Sequence, residues 1–89
     1  MALLDLLGRR WTLRILWELR DEGLGFRELQ ARCDAMSASV LSLRLRELRE
    51  AGILETDGAG VNRLTEDGAA LLDALGPLDR WAKRWSSRP

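Results

Sequence analysis

At Gly52 the hydrophobic period of this chain changes, and few folds accommodate the change. Upstream, in "SASVLSLRLRELREAG" (Ser37–Gly52), Leu41, Leu45 and Leu48 recur at steps of four and three, the spacing of a helix packed on a core by one face. Ser37 or Ser39 can accept the free N–H groups of the first turn, and Gly52 can take the left-handed conformation that closes a helix. Downstream, "ILETDGAGVNRLT" holds two short β-like runs around Asp57-Gly58-Ala59-Gly60, a hairpin signal. Thr65 then caps a last helix, with Glu66 and Asp67 where the helix dipole favours carboxylates. On the wheel of the Ser37–Gly52 helix, Ser39, Ser42, Leu43 and Arg46 point away from the leucine stripe, and Arg49 lies at its flank. That face is small, polar and partly cationic.

Earlier segments supply the context for this face. "ALLDLLG" can form a short helix ended by Gly8. "RRWTLRILWELRDEG" places Trp11, Ile15, Leu16 and Leu19 at helical spacing, with Thr12 as a cap and Gly23 as a stop. In "GFRELQARCDA", Phe26, Leu29 and Cys33 fall at steps of three and four, so Phe26 enters the core and a helix follows from Arg27. The last helix covers about residues 66–87, and Gly76-Pro77 inside it predicts a kink or two helices meeting there. Helices joined by a short turn, the second followed at once by a hairpin, predict a mainly α fold with a small β-hairpin: a winged helix-turn-helix. In that arrangement the helix from about Ser39 to Ala51 is presented to the major groove, and its outward residues gain access to base edges.

Composition limits the alternatives. A chain of 89 residues forms one domain, 1–89, that buries only about 60% of its unfolded surface, so dimerisation would add burial that it lacks. With 46% hydrophobic and 31% charged residues it is globular, and no apolar run approaches the roughly 20 residues of a membrane span. "MALLDLLG" is too short and too acidic for a signal peptide, which leaves the cytoplasm as the expected location. Histidine is absent and Cys33 is the single cysteine, so no catalytic residue, metal ligand set or cofactor is expected. The formal net charge of zero argues against a nucleic-acid partner, but its distribution is less even. Arg9, Arg10, Arg14 and Arg20 gather near the start, Arg44, Arg46 and Arg49 on the central helix, and Arg80, Lys83, Arg84 and Arg88 at the end. All but one of the 14 cations are arginine, whose planar fork matches phosphate and guanine.

Four fragments in order, "GRRWTLRILWEL", "FREL", "SASVLSLRLRELREAGIL" and "RLTEDG", resemble the HxlR-type winged-helix transcriptional regulators, relatives of the MarR type, over nearly the whole chain. The resemblance implies a homodimeric repressor or activator that binds double-stranded DNA, with the dimer formed by N-terminal and C-terminal helices. Carried over, it makes Ser37, Ala38, Ser39, Ser42 and Arg46 recognition-helix positions and Arg27 a phosphate contact. The chain begins at about the point where many members have already supplied an N-terminal segment with a cysteine, so a redox switch based on that cysteine is not carried over. The family's longer, proline-containing wing is replaced by "TDGAGVNRLT", with Asn62 at the position of a tyrosine.

Each candidate residue has an alternative. Arg46 either reads guanine O6 and N7 or forms a salt bridge with Glu50 one turn on. Leu43 either meets a thymine methyl or is a single exposed leucine. Arg49 joins the DNA-facing set, and Arg63 either reaches phosphate from the hairpin or is a solvated strand residue. Cys33, on an apolar stripe, is either a small buried thiol or a sensor. Trp81 and Trp85 share one face of the last helix with Leu78, and this face together with Leu4 and Trp11 is assigned to a dimer interface. Trp11 and Trp17 cannot share a stripe, so one of the two serves the core. A second function remains open: a winged-helix module that binds only protein, which zero net charge and a short wing would suit.

Overall fold

A computed structural model describes residues 2–87; Met1, Arg88 and Pro89, included in the single-domain reading and the C-terminal charge cluster, lie outside the described residues. Along the chain run α1 (Ala2–Leu7), α2 (Thr12–Glu18), α3 (Phe26–Arg32), α4 (Ala38–Glu50), β1 (Leu54–Thr56), β2 (Asn62–Leu64), α5 (Glu66–Ala74) and α6 (Gly76–Ser86). The fold is the expected winged helix-turn-helix, mainly helical with one antiparallel hairpin. Among the described residues no helix is long and apolar enough to cross a membrane.

The core is built from one face each of α2, α3 and α4. Ile15, Leu16 and Leu19 meet Leu29, Cys33 and Met36, and Leu41, Leu45 and Leu48 close the layer, all buried. Between α3 and α4 the chain reverses through two consecutive left-handed residues, Asp34 (φ 58°) and Ala35 (φ 55°). The Gln30 side chain steadies this turn by donating to the Met36 carbonyl at 2.8 Å. Ser37 then caps α4, its hydroxyl accepting the Val40 N–H at 3.4 Å. At the other end Gly52 (φ 74°) donates to the Arg49 carbonyl at 3.0 Å and Ile53 to the Leu48 carbonyl at 3.0 Å. This paired closure satisfies carbonyls that the last turn would otherwise leave open, and it buries Ile53 beside Leu48.

The hairpin pairs Leu54 with Leu64, Glu55 with Arg63 and Thr56 with Asn62. Its loop ends at Gly60 (φ 81°), whose N–H donates to the Asp57 carbonyl at 3.0 Å. Asp57 organises the loop, since one carboxylate oxygen accepts the N–H groups of Ala59 (2.9 Å) and Val61 (3.0 Å) and the other accepts Arg63 (2.9 Å). On its far side β2 is paired as well: Asn62 exchanges backbone hydrogen bonds of 2.8 and 2.9 Å with Leu24, in the α2–α3 connection. Leu24 therefore acts as a third strand one residue long.

α5 is capped as expected, the Thr65 hydroxyl accepting the Gly68 N–H at 3.0 Å. Gly68 is buried because α5 lies directly on the Ile53 carbonyl, which a Cβ at this position would overlap. At Gly76-Pro77 there are two helices rather than a kinked one, meeting at Leu75.

Several local expectations are corrected. Thr12 is the first residue of α2 and is buried, with its hydroxyl unpartnered among the described residues. The cap position belongs to Trp11, in the left-handed region at φ 79°. Trp11 thus precedes the helical wheel instead of sitting on it; although assigned to the interface, it is the tryptophan that packs on the core, and Trp17 is the exposed one. α2 ends at Glu18, well before Gly23, because the Leu19 N–H tightens the last turn by donating to both Ile15 and Leu16 carbonyls. α3 begins at Phe26 itself, which is only partly buried.

Two predictions follow from these contacts. Alanine is usually favoured over glycine inside a helix by about 1 kcal/mol. Gly68→Ala should nevertheless destabilise the domain by about 1–3 kcal/mol, because α5 must lift from Ile53. Calorimetry should register this as a drop of roughly 4–8 °C in Tm per kcal/mol, and a raised Tm would show that the approach is not limiting. The Asp57 carboxyl is held below its ordinary range by the Val61 N–H, then by Arg63 and the Ala59 N–H. Its folded form binds a proton less readily than its unfolded form, so its contribution is complete above about pH 4 and is lost as pH falls further. The Ala59 and Val61 amide NMR signals should shift together on acidification below that point and stay flat in Asp57→Asn; a flat response in the parent would refute the assignment.

Candidate nucleic-acid interface

The outward side of α4 is a product of its inward side. Once Leu41, Leu45 and Leu48 are committed to the core, helical geometry leaves Ser39, Ser42, Leu43 and Arg46 in solvent, and all four are exposed. Ser37 and Ala38 are exposed at the start of the helix, and the Ser37 and Ser39 hydroxyls are 2.9 Å apart. The salt bridge between Arg46 and Glu50 does not form, and among the described residues Arg46 has no carboxylate partner. Arg27, exposed in the first turn of α3, is likewise unpaired. Leu43 is 38% exposed, a small apolar element in a polar face.

The two remaining cations of the set behave differently. Arg63 is drawn back to Asp57 at 2.9 Å, so it is engaged in ordering the hairpin loop. Among the described residues Arg49 has no carboxylate partner; its Nη1 donates to the Thr56 hydroxyl at 3.2 Å. Thr56 in turn donates to Asn62 Oδ1 at 2.7 Å, and Asn62 Nδ2 donates to the Leu24 carbonyl at 3.2 Å. Thr56, Asn62 and Leu24 were not among the sequence candidates. Their signal was present in part: Asn62 occupies the inward position of an alternating run, where a polar side chain must find partners on burial.

Several acids of the chain are paired away from this face. Glu47 binds Arg9 at 3.0 Å and Arg44 at 2.8 Å, Glu18 binds Arg14 at 3.0 Å, and Glu22 and Glu28 share Arg32 at 3.3 and 3.2 Å. Such partly exposed pairs contribute at most about 1 kcal/mol each, but they remove those arginines from the external field. Among the described residues Arg27, Arg46 and Arg49 form no salt bridge, and neither does Glu50, exposed one turn after Arg46 on α4.

A second surface is apolar. On α6, Leu78, Trp81 and Trp85 are each more than half exposed, at 57, 51 and 58%, and Leu4 on α1 is 61% exposed. The Trp81 and Trp85 rings stack with centroids 6.1 Å apart and planes within 9°. Between α2 and the α5–α6 pair, Leu13, Trp17, Leu72, Leu75 and Leu78 line an open groove. Arg20 lies over the Trp17 ring at 4.0 Å. Cys33 is fully buried, and burial pushes its thiol up from the ordinary cysteine range, which disfavours the thiolate that reacts. Among the described residues no group of acidic residues and cysteine is placed to hold a metal ion.

Comparison with known proteins agrees with this geometry. The family model "HxlR-like helix-turn-helix" matches residues 6–89. The HTH-type transcriptional regulator YvaP of Bacillus subtilis is 33% identical over 87 residues, covering 91% of this chain and 81% of YvaP. The crystal structure of quinone-bound YodB from B. subtilis superposes with a TM-score of 0.87 at 31% identity, covering 93% of this chain and 92% of that one. A possible HxlR family transcriptional factor from Thermoplasma volcanium superposes at 0.85 with 25% identity, covering 99% and 84%. With its four motifs in order and its recognition helix, hairpin and capped α5 in place, the chain belongs to the HxlR family of helix-turn-helix transcriptional regulators.

Proposed function

We propose that this regulator is a homodimer that binds an inverted-repeat operator, acting in the cytoplasm, with α4 of each protomer in a major groove. The observation that carries this reading is the unpaired Arg46, exposed beside Ser39, Ser42 and Leu43 on the outward face of a helix whose other face is fixed in the core. Arg46 donates to guanine O6 and N7, Ser39 and Ser42 hydrogen-bond base edges, and Leu43 covers a thymine methyl. Ser37, Ala38 and Arg27 lie at the adjoining backbone, and Arg49 approaches from the hairpin side. Arg63, held by Asp57, contributes to the shape of the wing and not to a phosphate contact. Zero net charge favours the alternative, a module that binds only protein, but Arg27, Arg46 and Arg49 form no salt bridge among the described residues, which weakens that argument. Leu4, Leu78, Trp81 and Trp85 form the dimer contact, with Trp17 and the groove beside it in place of Trp11.

Binding to a short random duplex should weaken steeply with salt, each phosphate contact adding about 0.9 to the slope of log K against log salt. Arg46→Ala should cost roughly 1–3 kcal/mol on the selected operator and relax preference at one base position per half-site. Equal loss on operator and random DNA would reduce Arg46 to a phosphate contact, and no binding at low salt would favour the protein-binding module. For assembly, sedimentation should give a dimer at micromolar concentration. Trp85→Ala should dissociate it, since truncating an aromatic buried at an interface costs about 3–5 kcal/mol. The folded monomer should lose its preference for two half-sites about 34–36 Å apart, and full-site binding as tight as the parent's would overturn the link between dimer and operator.

A further inference from the structure

Arg49 differs from the other exposed cations of the DNA-facing set in being held without being neutralised. The chain of hydrogen bonds that holds it has a fixed direction. Asn62 Nδ2 donates to the Leu24 carbonyl, which turns Oδ1 towards Thr56; the one hydroxyl proton of Thr56 goes to that Oδ1 at 2.7 Å. Only lone pairs of the Thr56 oxygen then face α4, and Arg49 Nη1 donates to them at 3.2 Å. Asn62 is 2% exposed, so the far end of the chain is anchored in the interior and its polarity cannot reverse without leaving a buried amide unsatisfied. One of the five guanidinium donors is used, and the rest stay available. Beside Arg49, the start of α3, α4 and the hairpin border an open notch of about 260 Å³ lined by Phe26, Ser42, Leu45, Arg49, Thr56, Gly60 and Asn62.

We infer that this notch is a seat for a DNA backbone phosphate, in which Thr56 and Asn62 are positioning residues that hold Arg49 across the gap between recognition helix and wing. The inference rests on the DNA-binding reading above. A free arginine loses rotamer freedom when it binds phosphate; one already tethered has lost much of it, so its charge acts without that cost. The tether also ties the phosphate contact to the hairpin, which gives a short wing a role in docking that needs no side chain of its own on the DNA.

The test measures anisotropy of a short random duplex across a salt series for the parent, Arg49→Ala, Thr56→Val, Thr56→Ser and the Arg49→Ala/Thr56→Val double variant. Thr56 is exposed at the hairpin edge, and circular dichroism confirms that each variant is folded. Arg49→Ala should lower the salt slope by about 0.9. Thr56→Val should weaken binding between about two- and twelvefold when Arg49 is present and have no effect when Arg49 is alanine, whereas Thr56→Ser should match the parent. A purely structural Thr56 would weaken both backgrounds equally, and that result, or an unchanged slope in Arg49→Ala, overturns the inference while leaving the DNA-binding reading intact. Failure of the parent to bind at low salt removes both.

Discussion

The arrangement depends on one crowded junction, at Gly52 and Ile53. The Ile53 N–H closes α4 on the Leu48 carbonyl, while the Ile53 carbonyl accepts the Thr65 N–H at 3.0 Å and the Gly52 carbonyl accepts the Thr65 hydroxyl at 2.6 Å. That same hydroxyl caps α5 by accepting the Gly68 N–H, and Gly68 leaves room for α5 to lie on Ile53. Three elements therefore share two residues: the end of the recognition helix, the base of the hairpin and the start of α5. A helix that merely ended would leave the hairpin free to swing. Here the left-handed Gly52 sets the exit direction and Thr65 fastens the return strand to it, so the angle between helix and wing is fixed by hydrogen bonds to the Gly52 and Ile53 carbonyls. The Arg49–Thr56 contact spans an angle that has already been set, which is why one hydrogen bond at 3.2 Å suffices to place a guanidinium.

Charge balance and charge placement are separate properties, and this chain separates them. Its net charge is zero, which taken alone opposes phosphate binding. Several of the acids bind arginines near α1–α3 and on the back of α4. Glu47 holds Arg9 and Arg44, and Arg44 also donates to the Arg10 carbonyl at 2.8 Å. That cluster fastens the α1–α2 turn to the recognition helix on the side away from its exposed serines. On the outward face Arg46 and Arg49 are unpaired among the described residues, with Glu50 the one carboxylate that α4 adds to that side.

Much of this was legible in the sequence, for identifiable reasons. The period of Leu41, Leu45 and Leu48 fixes which face of α4 is buried, and so which side chains are left outside; Ser37, Gly52 and Thr65 announce themselves as caps because few residue types do that work. The Asp57–Gly60 loop was readable for the same reason. What escaped depends on contacts between distant segments. Nothing local marks Leu24 as a strand, because it becomes one only by pairing with Asn62. Thr12 reads as a cap by its residue type, yet Trp11 takes the left-handed cap position and Thr12 is drawn inside, an outcome of packing that propensity does not encode. The Leu-Thr-x-x-Gly fragment was visible as a pattern; that its glycine is a matter of clearance from the Ile53 carbonyl was not. Arg63 and Arg49 look equivalent in one dimension, and only the fold gives one a carboxylate and the other a hydroxyl.

The C-terminal helix raises a different question, because it contributes nothing to the buried core. α6 has no buried residue, and Gly68 is the only buried residue of α5. An isolated helix of 11 residues is marginal in water, where nucleation is costly and a few ion pairs such as Lys83–Asp79 at 3.3 Å add only tenths of a kcal/mol. Its apolar residues Leu78, Trp81 and Trp85 stand on one side, with the two indoles stacked on each other and still more than half exposed. Burial of that side is worth about 25 cal/mol for each Å² of apolar surface removed from water, a gain that neither the helix nor its indoles obtain while exposed. In the proposed dimer, pairing of protomers covers this side of α6, while the helix-turn-helix, whose core is complete without α6, keeps its shape. Spacing between two recognition helices is then set by a surface that shares no buried residue with the surface that reads DNA, so each can vary without unfolding the other.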